Sequence, residues 1–175
     1  NEVQLNRCQV SDAELIVKSE TSQFVYAGGL AGWMSKKAKL TNSMIKASIS
    51  AESGNSCYVG GLAGMTNNQA FVMNNKADCK IRAGILSDGK TNAKAVAGGL
   101  IGMASGIVYN CYSCSSIETI NEVNSSNVQE APLVAWCTAN GSVLRCLYTE
   151  DVSEDSAVIV FPAGKTITYQ IKRVD

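Results

Sequence analysis

Histidine is absent from this 175-residue chain, and proline occurs only twice. The lack of His removes Ser–His and Cys–His nucleophilic catalysis, and with it the commonest metal ligand. Neither charge is in excess: 15 Lys and Arg balance 15 Asp and Glu. That balance leaves no electrostatic footprint for nucleic acid or for an anionic membrane. No apolar run approaches the length of a membrane-spanning helix, so no membrane insertion of this segment is expected. A signal peptide and an initiator Met are also missing, the pattern of a mature product or an excised piece. Seven Cys are too few for a disulfide-scaffold composition, and an odd number rules out full internal pairing.

What is present is a chain 46% hydrophobic with 15 Gly. It suits one folded domain with a small appendage. One phrase recurs along it. Residues 26–33 are Tyr-Ala-Gly-Gly-Leu-Ala-Gly-Trp, 58–65 are Tyr-Val-Gly-Gly-Leu-Ala-Gly-Met, and 96–103 are Val-Ala-Gly-Gly-Leu-Ile-Gly-Met. A worn fourth copy spans Gln129 to Trp136. The anchors are Leu30, Leu62, Leu100 and Leu133, each followed three residues later by Trp33, Met65, Met103 or Trp136. A second phrase aligns Cys8, Ser43, Asn75, Cys111 and Cys146. Three residues before them stand Leu5, Leu40, Val72, Val108 and Val143, and one before stand Asn42, Asn74 and Asn110, with Arg7 and Arg145 as departures. Six residues after them come Ile49, Ile81, Ile117 and Val152. Leu15 falls one place late, so the first copy carries a one-residue slip.

These segments are short, Gly-rich and without a 3.6-residue period, which argues against helices. A column of like residues, one per repeat, is what parallel stacking of successive coils produces, with neighbouring strands ~4.8 Å apart. The expected fold is therefore all-β: a parallel β-helix type of solenoid with about four coils. The preference for right-handed crossovers predicts its hand. Whether each coil feeds two packed sheets or three is left open. The Gly pairs fit either a strand buried on both faces or a bulge before the strand. Asn42, Asn74 and Asn110 are expected at a corner, because Asn tolerates the left-handed conformation a bend there needs.

The organisation follows. Residues 1–152 form the repeats: a partial one over 1–23, then copies near 24–56, 57–94, 95–131 and 132–152. Loops are expected at 84–94, 118–131 and 149–156. Residues 153–175 leave the pattern. A strand run at 157–161, a turn at Pro162–Lys165 and alternation through Ile167, Tyr169 and Ile171 suggest a β-hairpin. It is expected to be a C-terminal cap or the start of a following domain.

The phrase Gly-Gly-Leu-x-Gly followed by Asn-Cys-Tyr resembles the GLUG repeat, most fully at Gly106-Ile107-Val108-Tyr109-Asn110-Cys111-Tyr112. The other copies are partial: Asn74-Asn75 lacks the Cys and Arg145-Cys146 lacks the Asn. GLUG repeats occur in bacterial surface adhesins and in accessory regions of immunoglobulin-A-cleaving metallopeptidases. The resemblance implies an extracellular or cell-surface location and a noncatalytic role, as a stalk or adhesive module. Its partners would be a host protein or a glycan, beside neighbouring domains of a longer chain. The alternative it implies is an accessory domain of a secreted peptidase or polysaccharide-degrading enzyme. The peptidase His-Glu-x-x-His motif is absent.

No catalytic, cofactor-binding or metal-ligating residue emerges. Cys111-Tyr112-Ser113-Cys114 is a Cys-x-x-Cys without a helix N-terminus to activate a thiol. Cys137 and Cys146 are too far apart in sequence to complete a zinc set. Glu150, Asp151, Glu154 and Asp155 lack calcium-loop spacing and fit a solvated loop. Lys36-Lys37-Ala38-Lys39 fits an exposed turn. The glycosylation pattern at Asn124 and Asn140 carries no weight in a bacterial chain. A carbohydrate-cleaving β-helix needs two carboxylates ~5–9.5 Å apart. The column Asp12, Ala47, Cys79, Ser115, Glu150 offers no two acids on neighbouring coils, and Asp78 and Asp88 have no evident partner.

Cys111 and Cys146 share one column. In-register stacking leaves their Cβ atoms ~4.8 Å apart, beyond the ~3.8 Å a relaxed disulfide prefers. Cys57 aligns with Val25, Ala95 and Val128, the company of a packing residue. Most or all seven thiols are therefore expected to be free. Thiol titration under denaturing, non-reducing conditions checks this, and two or more disulfides per chain would refute the column argument.

Overall fold

A computed structural model describes residues 2–20, 23–161 and 168–175. The first coil consists of β1 (Gln4–Asn6), β2 (Gln9–Ser19), β3 (Val25–Gly28) and β4 (Ala31–Met34). The second repeats the order as β5 (Lys39–Thr41), β6 (Met44–Ser53), β7 (Cys57–Gly60) and β8 (Ala63–Thr66). The third is β9 (Phe71–Met73), β10 (Lys76–Ile85), β11 (Ala95–Gly98) and β12 (Ile101–Ala104). In the fourth the long strand is split: β13 (Ile107–Tyr109), β14 (Tyr112–Ser113), β15 (Ser116–Asn121), β16 (Val128–Ala131) and β17 (Val134–Thr138). The chain ends with β18 (Ser142–Tyr148), a one-turn helix α1 (Glu154–Ala157), β19 (Val158–Phe161) and β20 (Thr168–Arg173).

Equivalent strands stack in parallel, giving a β-solenoid of about four coils. Three sheets result. The second sheet is β3-β7-β11-β16 and the third is β4-β8-β12-β17-β19. The first is folded at a corner: β1-β5-β9-β13 lie on one side, the long strands β2-β6-β10 with β14 and β15 on the other, and β18 spans both. The open question of two sheets or three is thus decided for three.

The columns read from the sequence are the rungs of these sheets. Leu5, Leu40, Val72, Val108 and Val143 pair in register. So do Leu15, Ile49, Ile81 and Ile117. The anchor leucines hand one backbone hydrogen bond down the line: Leu30 N to Leu62 O, Leu62 N to Leu100 O, and Leu100 N to Leu133 O, at 2.9–3.1 Å. Leu62, Leu100 and Leu133 are fully buried, each contributing about 2 kcal/mol of apolar burial. The slip before Leu15 is a β-bulge: pairing with β6 shifts between Val10 and Ala13, and Asp12 takes φ 55°. Val152 does not join the last column, because β18 ends at Tyr148.

Both readings of the Gly pairs meet at one corner. Gly28, Gly60 and Gly98 end strands of the second sheet, and the residues after them bend into the third. A Cβ on Gly64 would stand 2.6–2.8 Å from backbone atoms of Ala27, Gly32 and Tyr58. The two sheets approach so closely there that any side chain would displace backbone. The fourth copy carries Ala131 and Ala135 in these columns, and β19 shifts register against β17 between Val134 and Cys137.

The Asn corner is as expected. Asn42, Asn74 and Asn110 have φ 51–58°, and so do Arg7 and Arg145 at 55° and 54°. The amides form a ladder: Asn42 Nδ2 donates to Asn6 Oδ1 (2.9 Å), Asn74 Nδ2 to Asn42 Oδ1 (3.1 Å) and Asn110 Nδ2 to Asn74 Oδ1 (2.8 Å). Inside the bend Ser43 and Asn75 satisfy the turning backbone: Ser43 Oγ accepts from Cys8 N, and Asn75 Oδ1 accepts from Ser43 N.

Among the described residues, β19 and β20 do not pair with each other as the expected hairpin. β19 joins the third sheet parallel to β17, and β20 joins the first sheet parallel to β18. Alternation identifies a strand but not its partner. The open edges of β17 and β18 offer in-line pairing that continues the solenoid. The turn at Pro162–Lys165 and Ile167 lie outside the described residues. The other loops are shorter than expected, since β10 runs on to Ile85 and β15 to Asn121.

Asn74→Ala removes two ladder bonds and sets a Cβ-bearing residue without a local acceptor at φ 58°. It is expected to cost about 2 kcal/mol, whereas Asn74→Gly, which tolerates that φ, should cost about 1 kcal/mol. Urea unfolding with unchanged m-value measures both. Equal losses would show that the left-handed backbone is not what the Asn supplies.

Candidate binding surface

The long strands β2, β6, β10 and β15 turn alternate side chains outward, and parallel register sets these in rows across the coils. Lys46 stands beside Asp78, Ser48 beside Lys80, and Lys80 beside Ser116. Ser50, Arg82 and Glu118 form the next row. A groove of about 450 Å³ crosses this face, lined by Asp12 and Glu14 from the first coil, Lys46, Asp78 and Lys80, and Cys114 from the fourth. Ala13, Ala47 and Cys79 also line it. The strands are irregular at its two rims: the bulge at Ser11–Asp12, and the break between β14 and β15 at Cys114–Ser115. A second depression of about 340 Å³ adjoins it beside Ser50, Arg82 and Glu118.

The groove mixes both charge signs. Arg82 bridges Glu52 at 2.7 Å and Glu118 at 3.5 Å; pairs this exposed contribute under ~1 kcal/mol. The carboxylate column weighed from the sequence is not one column. The bulge removes Asp12 from it, so that Ala13 pairs with Ala47 and Ala47 with Cys79. Glu150 lies beyond the end of β18. It shares a separate depression of about 340 Å³ with Glu130, Pro132, Asp151 and Val152. Burial raises the Glu150 carboxyl above its usual range, and the Glu130 carboxylate adds to the shift. That pair joins β16 of the second sheet to the non-repeated segment after β18, so no periodicity pointed to it. Asp151 is paired instead with Arg173.

The Cys-x-x-Cys residues serve different places. Cys111 Sγ faces into the Asn corner, 3.3 Å from Tyr109 O, and hydrogen-bonds the Cys146 thiol, which lowers its pKa and raises that of Cys146. Cys114 opens onto the groove, its thiol raised by burial and by Asp78. The segment between them is extended. Burial pushes Cys79 up to about 11 and Cys57 and Cys137 up to about 12, the behaviour of packing thiols. All seven Cys are free thiols. No group of three or more His, Cys, Asp or Glu among the described residues is arranged to hold a metal.

An aromatic rim lies where the second and third sheets meet. Tyr26 stacks on Tyr58 at 5.5 Å, Phe24 on Tyr26 at 6.4 Å, and Trp33 leans on Tyr26 at 5.7 Å. Tyr58, Val96 and Trp136 form a small apolar cluster apart from the main core. The Lys94 ammonium sits 4.7 Å over the Trp136 ring. Lys36 and Lys37 of the basic run form a turn, with Lys37 at φ 62°, while Lys39 opens β5 and is paired to Glu2.

Protein-family models, curated proteins and solved structures were all compared with the chain, and none matches. No helix of the structure is long and apolar enough to cross a membrane.

A carboxyl whose folded pKa is raised weakens the fold where it ionises. Above the unfolded-chain value of ~4.3 the folded state loses stability relative to the unfolded one, and below it the penalty vanishes. Glu150→Gln is therefore expected to raise the melting temperature at pH 7 and to leave it unchanged near pH 3. Thermal scans at both pH values check the sign, and a lower melting temperature at pH 7 would contradict it.

Proposed function

We propose that this chain is a noncatalytic module of a bacterial cell-surface protein, binding an extended polymer or a host protein along its lateral face. The observation that carries the proposal is the groove running across all four coils, from Asp12 and Glu14 to Cys114. Such a surface is open and long, with polar groups of both signs repeating at the coil spacing. It suits recognition of an elongated ligand better than enclosure of a small one. The resemblance of the repeats to GLUG sequences supports the surface location and the adhesive or stalk role. The column chemistry supports a noncatalytic one, since the carboxylates of the groove do not stack in neighbouring coils.

A glycan and host-protein array probed with the whole chain tests the proposal. Binding is expected to fall at least about tenfold in a Lys46→Glu/Lys80→Glu variant, whose exposed substitutions leave the melting temperature within a degree or two. Absence of binding on every feature would make the chain a spacer, and binding indifferent to both lysines would move the site off the groove.

A further inference from the structure

The Asn corner presents a lateral surface of its own, apart from the groove. Three of the seven exposed large apolar residues lie outside the first coil, and all three stand on strands that meet at this bend: Met44 (40%), Phe71 (38%) and Leu147 (37%). Register sets their neighbours in rows on the two flanks of the exposed Asn ladder. On one flank Met73, Tyr109 and Leu144 follow one another, with Phe71 and Ile107 paired beside them. On the other flank the row is Met44, Lys76, Tyr112 and Leu147.

Two cations sit on the rings. The Lys76 ammonium is 5.4 Å from the centre of Tyr112, and the Arg145 guanidinium is 5.6 Å from that of Tyr109. Among the described residues, no carboxylate bridges either cation. The strands β5, β9, β13, β14 and β18 hold no Asp or Glu. The acid of β10, Asp78, stands beside Lys46. The ladder adds directional groups. Each Asn amide nitrogen carries two hydrogens, and the ladder uses one from each of Asn42, Asn74 and Asn110. The second remains for a ligand, so donors recur at the ~4.8 Å strand spacing.

The chemistry that matches this set is an acidic sugar polymer. A pyranose ring has an apolar C–H face for Tyr109 or Tyr112 and hydroxyls for the amides. In a uronic acid it also has a carboxylate, which a guanidinium such as that of Arg145 can take in two parallel hydrogen bonds. An extended acidic peptide fits worse. Strands β9 and β13 are hydrogen-bonded on both edges, so no backbone ladder is open to it. We infer that the Asn corner is a binding surface for a carboxylated polysaccharide, lying across the coils over Tyr109 and Tyr112 between Lys76 and Arg145. This holds whether or not the groove binds a ligand.

Titration calorimetry of the whole chain with polygalacturonate and with alginate tests the inference. Fully methyl-esterified pectin is the uncharged control and poly-glutamate the peptide one. Binding to the two carboxylated polysaccharides is expected, weakening as salt rises to about 0.5 M. Lys76→Gln/Arg145→Asn removes both charges but keeps the Lys stem and puts at φ 54° a residue that tolerates it. Binding should fall at least about tenfold in that variant, with the melting temperature held within a degree or two. Tyr109→Leu/Tyr112→Leu should lose as much with both cations in place. Lys80→Gln, in the groove, should stay within about threefold of the native chain. Failure of both polysaccharides to bind overturns the inference. So does equal binding of the methyl ester, poly-glutamate bound as tightly as either polysaccharide, or a folded Lys76→Gln/Arg145→Asn chain that binds as before. Loss of binding in Lys80→Gln moves the site to the groove and overturns it as well.

Discussion

Register between successive coils is the constraint on which everything else in this structure depends. A parallel ladder places each residue on its equivalent one repeat away, so an apolar column stays inside and a polar column stays outside as long as no coil slips. The hydrogen bonds passed from Leu30 to Leu62, Leu100 and Leu133 mark this alignment through four coils. A one-residue slip would turn a column such as Leu15, Ile49, Ile81 and Ile117 outward. The one place where the first repeat has an extra residue is absorbed locally by the Asp12 bulge, and Leu15 returns to its column.

Two corners hold the register, by opposite means. At the Asn corner the chain needs a left-handed residue with a side chain, because the amides themselves form a ladder from Asn6 to Asn110. Arg7 and Arg145 show that the backbone conformation persists where the Asn does not. At the Gly corner the requirement is absence of a side chain: the Gly64 and Gly102 positions lie against backbone of the facing strands. Interior polar side chains such as Ser43 and Asn75 serve to turn the chain. The chemistry left for function is on the outer face of the long strands and on the aromatic rim.

The surface is consequently a readout of the repeat as well. Rows such as Ser48, Lys80 and Ser116 arise because outward positions are as strictly in register as inward ones, yet their residue types vary. The interior is uniform from coil to coil and the exterior is individual. That division lets a solenoid keep one architecture while its lateral groove acquires specific charges.

Composition and spacing determined that the chain is a parallel β-solenoid, which residues share a column, where the left-handed corner lies and where the first repeat slips. These follow from periodic, local requirements: one apolar residue per coil, one Asn per bend, and a Gly wherever backbone meets backbone. Tertiary structure alone decided the rest. The partners of β19 and β20 were set by the open edges of β17 and β18, because alternation cannot distinguish a hairpin from two strands added in parallel. The departure of Asp12 from its acid column, the meeting of Glu130 with Glu150 and the separation of Cys111 from Cys114 depend on bulges, loops and side-chain direction. None of these repeats along the chain, so no period in the sequence could carry them.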